Sequence, residues 1–339
     1  MKKHLISAAV AAAVVAPAFA QNVQVYGIVD TAVQSYDNGA VTAAESLTRV
    51  ADGVLATSRI GFKGTEDLGG GNKAVFNLEG SLTPSTGAQS GYTRAAFVGL
   101  SGAFGEIRLG KGDTTYTQDI DSGVSQAGNL ALRPKVHTTA STTINGELGG
   151  DVDGAIRYIS PKVNGFNIEL GAAVNAPTAT TDARTQIQDV FVQYANGPLK
   201  VMMGNTKQDS ATSTSKADFT AYGASYDFGV VSVGLSGSSA DANLAGDVKT
   251  TVISAKAPLG NGLAAHIVRG TASVSGTANA EGSGTTVALT KALSKRTTVY
   301  GAYTAVSAKS AANFSMTGVS AGALDSDPAA VTVGINHSF

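Results

Sequence analysis

The sequence predicts an all-β fold, a sixteen-stranded antiparallel transmembrane β-barrel, from three observations. Only 14% of the residues are charged, whereas a typical soluble domain has about 25%. Beyond an export signal, no stretch approaches the roughly twenty consecutive apolar residues that a transmembrane helix needs. Apolar and polar residues alternate in short segments separated by turns rich in glycine, asparagine and aspartate. A closed barrel suits such a chain because it satisfies all its backbone hydrogen bonds inside lipid.

Residues 1–20 are predicted to be a secretory signal peptide, and residues 21–339 the barrel. Lys2 and Lys3 are followed by an apolar run from Leu5 to Val15, and Ala18-Phe19-Ala20 provides a small-residue cleavage site. The alternative is a transmembrane helix, but this apolar run is shorter than the roughly twenty residues that a helix needs to span a bilayer.

The alternating segments are about ten residues long, the length of a barrel strand. In the first segment one face carries Val23, Val25, Val29 and Val33, and the other carries Gln24, Tyr26, Asp30 and Gln34. A soluble sandwich would also alternate, so the connections decide. Seven short turns alternate with eight longer loops along the chain, which gives sixteen strands. Sixteen strands leave an aqueous channel, and the irregular spacing argues against a β-solenoid adhesin.

The predicted strands follow in chain order: 22–36, 57–66, 73–82, 92–101, 106–112, 154–161, 166–175, 186–195, 199–208, 217–227, 230–239, 248–257, 263–273, 285–293, 297–307 and 329–339. The connection at 113–153 is the longest and has no convincing strand. A loop of this length is usually functional. Two interpretations stay open: an exposed disordered loop, or a loop folded into the barrel that narrows the channel.

Several classes of function are not supported by the composition. Acidic residues (25) and basic residues (24) nearly balance, and no concentrated basic patch indicates nucleic-acid binding. The absence of cysteine excludes disulfides and cysteine-based metal or iron–sulfur sites. No EF-hand spacing or phosphate loop occurs, so no cofactor and no metal are predicted. Beyond the signal peptide the histidines are His137, His266 and His337, and neither His266 nor His337 has an obvious Ser or Asp partner, so no enzyme is expected.

Five motifs, in order along the chain, resemble the general porins of Gram-negative bacteria, especially those of β-proteobacteria. They are Val25–Asp30, Ser58–Gly69, the pair Arg94–Leu100 and Phe104–Gly110, the pair Ile156–Pro161 and Gly165-Phe166, and Val333–Phe339. The resemblance implies a homotrimer of sixteen-stranded barrels in the cell outer membrane, surrounded by lipid and lipopolysaccharide. It also implies an inward-folded third loop, and a role for Phe339 as a signal to the barrel-assembly machinery.

The resemblance further implies a constriction in which wall arginines face acids of the third loop. Arg59 and Arg94 match two such arginines by motif. Arg59 lies on the face opposite Ile60 and Phe62, and Arg94 on the face opposite Ala95 and Phe97. A charge on the lipid face costs roughly 2–4 kcal/mol at mid-membrane, so both are expected to point into the lumen.

Asp119 and Asp121 are the expected acidic partners on the third loop, and Arg157 is expected to point inward by alternation. Family members often carry another arginine just before the position of Ala155, where this chain has Asp151-Val152-Asp153-Gly154. This departure predicts weak ion selectivity and leaves its sign open.

The predicted function is a water-filled channel for passive diffusion of small hydrophilic solutes and ions. The alternative is a substrate-specific channel or a loop-based surface receptor or adhesin. A sugar-specific channel would line its path with aromatic residues, and this chain has 6% aromatic residues and no tryptophan.

Overall fold

The computed structural model describes residues 22–37, 39, 46–113, 124–126, 135–137, 143–145, 151–174, 185–210, 216–241, 247–276, 278, 280–309, 313–316, 319–320 and 327–339. Its strands are β1 (Asn22–Asp37), β2 (Ser46–Asp52), β3 (Arg59–Gly69), β4 (Asn72–Thr83), β5 (Ala88–Gln89), β6 (Ala95–Gly102), β7 (Gly105–Asp113), β8 (Lys135–His137), β9 (Thr143–Asn145), β10 (Asp151–Ile159), β11 (Phe166–Val174), β12 (Thr185–Asn196), β13 (Leu199–Ser210), β14 (Lys216–Asp227), β15 (Ser232–Asp241), β16 (Val248–Gly260), β17 (Leu263–Val274), β18 (Glu281–Ala292), β19 (Thr297–Ala308), β20 (Asn313–Met316), β21 (Val319–Ser320) and β22 (Ala329–Ser338).

Sixteen of these strands form a closed antiparallel barrel, as the sequence predicts. Each barrel strand pairs with its neighbours in chain order, and β1 closes the ring by pairing with both β3 and β22. Seven short turns join the strands at one end, for example between β12 and β13 and between β16 and β17. Asn164 and Asn261 adopt φ of 49° and 50° in two of these turns, a region that asparagine tolerates better than most residues.

The two faces of the barrel wall differ in chemistry. Apolar side chains of the outer face are exposed, such as Val98 at 58% and Val333 at 64%, while inward polar residues such as Gln34 and Thr332 are buried. The alternation of side chains therefore matches that of a membrane barrel, in which apolar side chains face outward and polar side chains face the lumen. No helix among the described residues is long and apolar enough to cross a membrane.

The longer loops contain short strands that alternation did not predict. Strand β2 lies in the connection between the first two predicted strands, 22–36 and 57–66, and pairs with the C-terminal half of β1. Within the predicted third loop, β8 and β9 pair with each other, and β8 also pairs with β20 of the last loop. Three-residue segments are too short to show a period, and β20, the second partner of β8, lies far along the chain.

Candidate functional site

Glu79 on β4 joins two of the predicted pore arginines on the inner wall. Its Oε1 lies 2.6 Å from Nε of Arg94, and its Oε2 lies 3.7 Å from Nε of Arg59. The hydroxyl of Tyr26 is 2.8 Å from the same carboxylate. Gly61 on β3 makes room for this ring, because a Cβ there would lie 2.7 Å from it. One carboxylate on β4 thus contacts two guanidinium groups, one from β3 on one side and one from the segment that precedes β6 on the other side.

Arg94 points inward for a reason that alternation did not capture. It precedes β6, and its N–H donates to the carbonyl of Glu79 (3.0 Å) from an irregular backbone. Within β6 the lumen face carries Ala95 and Phe97, which pair with the inward residues of β4. The expectation that Arg94 lies on the face opposite Ala95 and Phe97 is therefore wrong, because the strand's alternation does not extend back to residue 94.

A second charged group lies on the next strand of the wall, β7. Nε of Arg108 on β7 donates to Oε1 of Glu106 at 2.5 Å. The Arg108 guanidinium carbon lies 4.7 Å from the ring centroid of Phe97, a cation–π arrangement. Lys111 reaches across to Asp153, with Nζ and Oδ1 2.6 Å apart.

Arg157 on β10 also lies on the inner wall, between two acids. Its guanidinium nitrogens are 3.9 Å from Oε2 of Glu169 and 3.9 Å from Oδ2 of Asp189. Gly171 leaves the space for this group, because a side chain there would overlap with the Asp189 carboxylate. The side chain of Asp189 is only 4% exposed, so Arg157 supplies a cation to carboxylates that have little access to bulk water.

The structure brings the predicted arginines to one stretch of wall. Arg94 and Arg157 line the same recess of about 370 Å³, and Arg59 joins it through Glu79. The predicted loop acids Asp119 and Asp121 lie outside the described residues. Whether these five side chains form the narrowest part of the channel stays a prediction.

Three described residues of the third loop, Val124 to Gln126, touch the inner wall on the far side of the barrel. The N–H of Gln126 donates to Oγ of Ser254 (3.1 Å), and its carbonyl is 2.8 Å from Nδ1 of His266. Val124 is 1% exposed and packs over Gly234. These partners share the inward face of β15, β16 and β17, so this part of the loop lies inside the barrel.

Sequence reasoning missed Arg108 and all the wall carboxylates: Glu79, Glu106, Glu169 and Asp189. The sequence carries a signal for them, because Arg108 and Glu169 each lie between two large apolar residues, in Ile107-Arg108-Leu109 and Ile168-Glu169-Leu170, and the other three each have one such neighbour. Among the described residues, no group of three or more His, Asp or Glu side chains is placed to hold a metal ion.

Comparisons with known proteins agree with this geometry. The family model described as Gram-negative porin matches residues 7–311. Outer membrane porin protein 32 of Delftia acidovorans is 32% identical over 355 residues, covering 100% of both chains. A solved structure described as an anion-selective porin from Comamonas acidovorans superposes with a TM-score of 0.77 at 30% identity, over 94% of this chain and 100% of the other.

The fold is shared more widely. The trimer form of OmpT from Vibrio cholerae has a TM-score of 0.67 at 15% identity, over 94% of this chain and 100% of that chain. The predicted resemblance to β-proteobacterial porins is confirmed. The chain therefore belongs to the Gram-negative porin family, and it forms an outer-membrane channel for passive diffusion.

Proposed function

We propose that the channel is a general diffusion pore with weak ion selectivity. The supporting observation is the pairing of charges along the described wall. Five cations lie within ion-pair distance of five carboxylates: Arg59, Arg94, Arg108, Lys111 and Arg157 with Glu79, Glu106, Asp153, Glu169 and Asp189. The fields of two opposite charges a few ångströms apart largely cancel at a distance. Salt screens what remains over a Debye length of about 8 Å at physiological ionic strength, so an ion in the lumen meets little net field.

These ten charges are matched in number but not at each point. Arg59 and Arg94 share one carboxylate, whereas Arg157 faces two. The first group thus places two cations beside one carboxylate, and the second places one cation beside two carboxylates. Asp153, near the position where family members often carry an arginine, pairs with Lys111. We therefore propose that this channel is less anion-selective than the anion-selective porin it resembles.

The test is the reversal potential of purified channels in a planar bilayer with a tenfold KCl gradient. We expect a value much closer to zero than the Nernst limit of either ion. A potential near the limit for chloride or for potassium would contradict weak selectivity. Neutral sugars in a liposome-swelling assay separate the alternatives: rates that fall smoothly with solute size support a general pore, and saturation by one sugar supports a substrate-specific channel.

We propose that the chain has no catalytic activity. The porin family consists of channels, and the inward histidine has structural partners: Nδ1 and Nε2 of His266 lie 2.8 Å from the Gln126 carbonyl and 2.9 Å from the Thr290 hydroxyl. Hydrolysis of ester or peptide substrates by purified protein, lost in a His266→Gln variant, would contradict this proposal.

We propose a homotrimer in contact with lipid and lipopolysaccharide. The fold shared with a trimeric structure and the exposed apolar outer face support it. Light scattering of the detergent-purified protein tests the assembly. A mass of three chains and channel closure in three equal steps are expected; a single-chain mass with one-step closure would contradict the trimer.

We also propose that Phe339 acts as a signal to the barrel-assembly machinery. The residue pairs with Gly27 through two backbone hydrogen bonds of 3.2 and 3.1 Å, so it lies at the seam that closes the barrel. Phe339→Ser should lower the amount of folded barrel in the outer membrane of expressing cells. Phe104→Ser, which changes an exposed aromatic residue of a short turn, is the control and should assemble normally.

A further inference from the structure

The barrel wall is interrupted between β2 and β3 by an insertion that alternation does not explain. Strand β2 pairs with Thr31–Asp37 of β1, and β3 pairs with Asn22–Ile28. Residues 53–58 therefore lie opposite only Val29 and Asp30 of β1. Six residues cannot match two in an extended sheet, so the excess must leave the plane of the wall, as in a large β-bulge. We name residues 53–58 the inward bulge.

The inward bulge packs on the lumen side of the wall. Val54 is 4% exposed and belongs to the same buried cluster as Ala32 and Tyr300, with Leu55 packed against it. Ala32 alternates with the exposed outer residue Val33, and Tyr300 with the outward Gly301. The bulge therefore occupies space inside the barrel, over the inner faces of β1 and β19.

The Asp30 carboxylate is the centre of the contacts that hold the bulge. Its Oδ1 accepts hydrogen bonds from the N–H groups of Val54 (2.9 Å) and Leu55 (3.3 Å), and its Oδ2 accepts one from Ala56 (3.2 Å). Tyr300 and Asn336 each donate to the same carboxylate at 2.9 Å. Hydrogen bonds to an ionised acceptor are roughly twice as strong as neutral ones.

The backbone of Asp30 holds the end of the bulge next to the pore arginine. The Asp30 N–H donates to Oγ of Ser58 (2.9 Å), and the Ser58 hydroxyl donates to the Asp30 carbonyl (3.1 Å). Arg59 follows directly, and its Nη1 donates to the carbonyl of Thr57 at 3.4 Å. A continuous set of contacts thus leads from Asp30 to the guanidinium of Arg59.

We propose that Asp30 is a positioning residue of this channel. Its carboxylate folds residues 53–58 into the lumen, where they narrow the path along β1, and it fixes Arg59 through Ser58 and Thr57. The carboxylate is fully buried, so it acts on permeating ions through the bulge and Arg59 rather than by contact.

Single-channel conductance tests the narrowing. Asp30→Asn replaces one acceptor oxygen by a donor that faces N–H groups, so the bulge should loosen and conductance should rise. Deleting residues 54–57 leaves two residues opposite Val29 and Asp30, and should raise conductance further. Thr286→Val is the matched control, because it removes a buried inner-wall hydrogen bond with Thr304 at a site that does not hold the bulge; it should conduct as the wild type.

The deletion variant keeps the test decisive if Asp30→Asn does not fold. Folding is verified by the heat-dependent shift in gel mobility. Folded channels with the deletion that conduct like the wild type would overturn the narrowing role. A rise of equal size in Thr286→Val would also overturn it, because the effect would then be general loosening of the wall.

The link to Arg59 is tested with Ser58→Ala, which changes no charge. This variant should shift the reversal potential in a salt gradient, because Arg59 loses its fixed position. In the Arg59→Ala background the same substitution should cause no further shift, since coupled residues are non-additive. Equal shifts in both backgrounds, or no shift in either, would overturn the positioning role.

Discussion

Phe339 lies over Gly27 on the outer face of the seam where β22 meets β1. The two residues exchange backbone hydrogen bonds. A Cβ on residue 27 would overlap with the Phe339 ring and lie 2.7 Å from the carbonyl oxygen of Arg59. The absence of a side chain at Gly27 therefore lets the aromatic ring cover the closing strand pair.

Gly27→Ala should therefore destabilise the barrel, by about 1–3 kcal/mol, the usual cost of overpacking. The measurement is the free energy of unfolding from urea titration in detergent or lipid. Gly301→Ala is the control on the same outer surface, because its Cβ would meet only a carbonyl oxygen at 3.9 Å. If both variants are equally stable, the close approach at the seam has no energetic importance.

Glu79→Gln should make the channel more anion-selective. The substitution keeps the shape of the side chain and removes the charge that Arg59 and Arg94 share, so two guanidinium groups act on the lumen without compensation. The reversal potential in a KCl gradient should move toward the chloride limit. Glu66→Gln, in an exposed residue at the end of β3, is the control. An unchanged potential, or a shift toward potassium, would show that this cluster does not set the field.

Arg157→Gln should lower stability and shift selectivity toward cations. It removes the cation between Glu169 and Asp189, and removing one partner of a buried pair costs up to about 3–5 kcal/mol, less where lumen water reaches the site. Adding Asp189→Asn should restore part of the lost stability and reverse part of the shift toward cation selectivity. A double variant no more stable than Arg157→Gln alone would argue against this charge pairing.

The placement of the third loop against the inner wall can be tested by cross-linking. The chain has no cysteine, so Gln126→Cys combined with Ser254→Cys introduces one defined pair, at positions in hydrogen-bond contact. Oxidation should form an intramolecular disulfide. Ile253→Cys with Gln126→Cys is the control, because residue 253 faces outward and is 57% exposed. Cross-linking of the control pair, or of neither pair, would contradict the inward position.

Much of the fold follows from local chemistry. Strict alternation separates Asp30 and Gln34 from Val33 on opposite faces of the first strand. The number of glycine-rich turns and longer loops gives the number of strands. The same rule found Arg59 and Arg157, because a charge inside lipid is costly. The same rule applies to Glu79 and Glu169, which also occupy inward positions of their strands.

Other features depend on partners far apart in sequence. The bulge at 53–58 is held by the Asp30 carboxylate, which Tyr300 and Asn336 also contact. A local period in the sequence cannot indicate such long-range contacts. The wrong face for Phe97 came from extending a strand's alternation to Arg94, which precedes the strand. Asp119 and Asp121 belong to a stretch of sequence without a period, and the expectation that they face the arginines stays a prediction.

The most direct test of the channel itself is single-channel conductance of the purified protein in planar bilayers as KCl concentration is raised. A water-filled lumen with paired wall charges predicts stable, ohmic openings whose conductance rises in proportion to the conductivity of the bulk solution. Folded, heat-modifiable protein that leaves the membrane silent, or a conductance that saturates at low salt, would contradict an open diffusion pore.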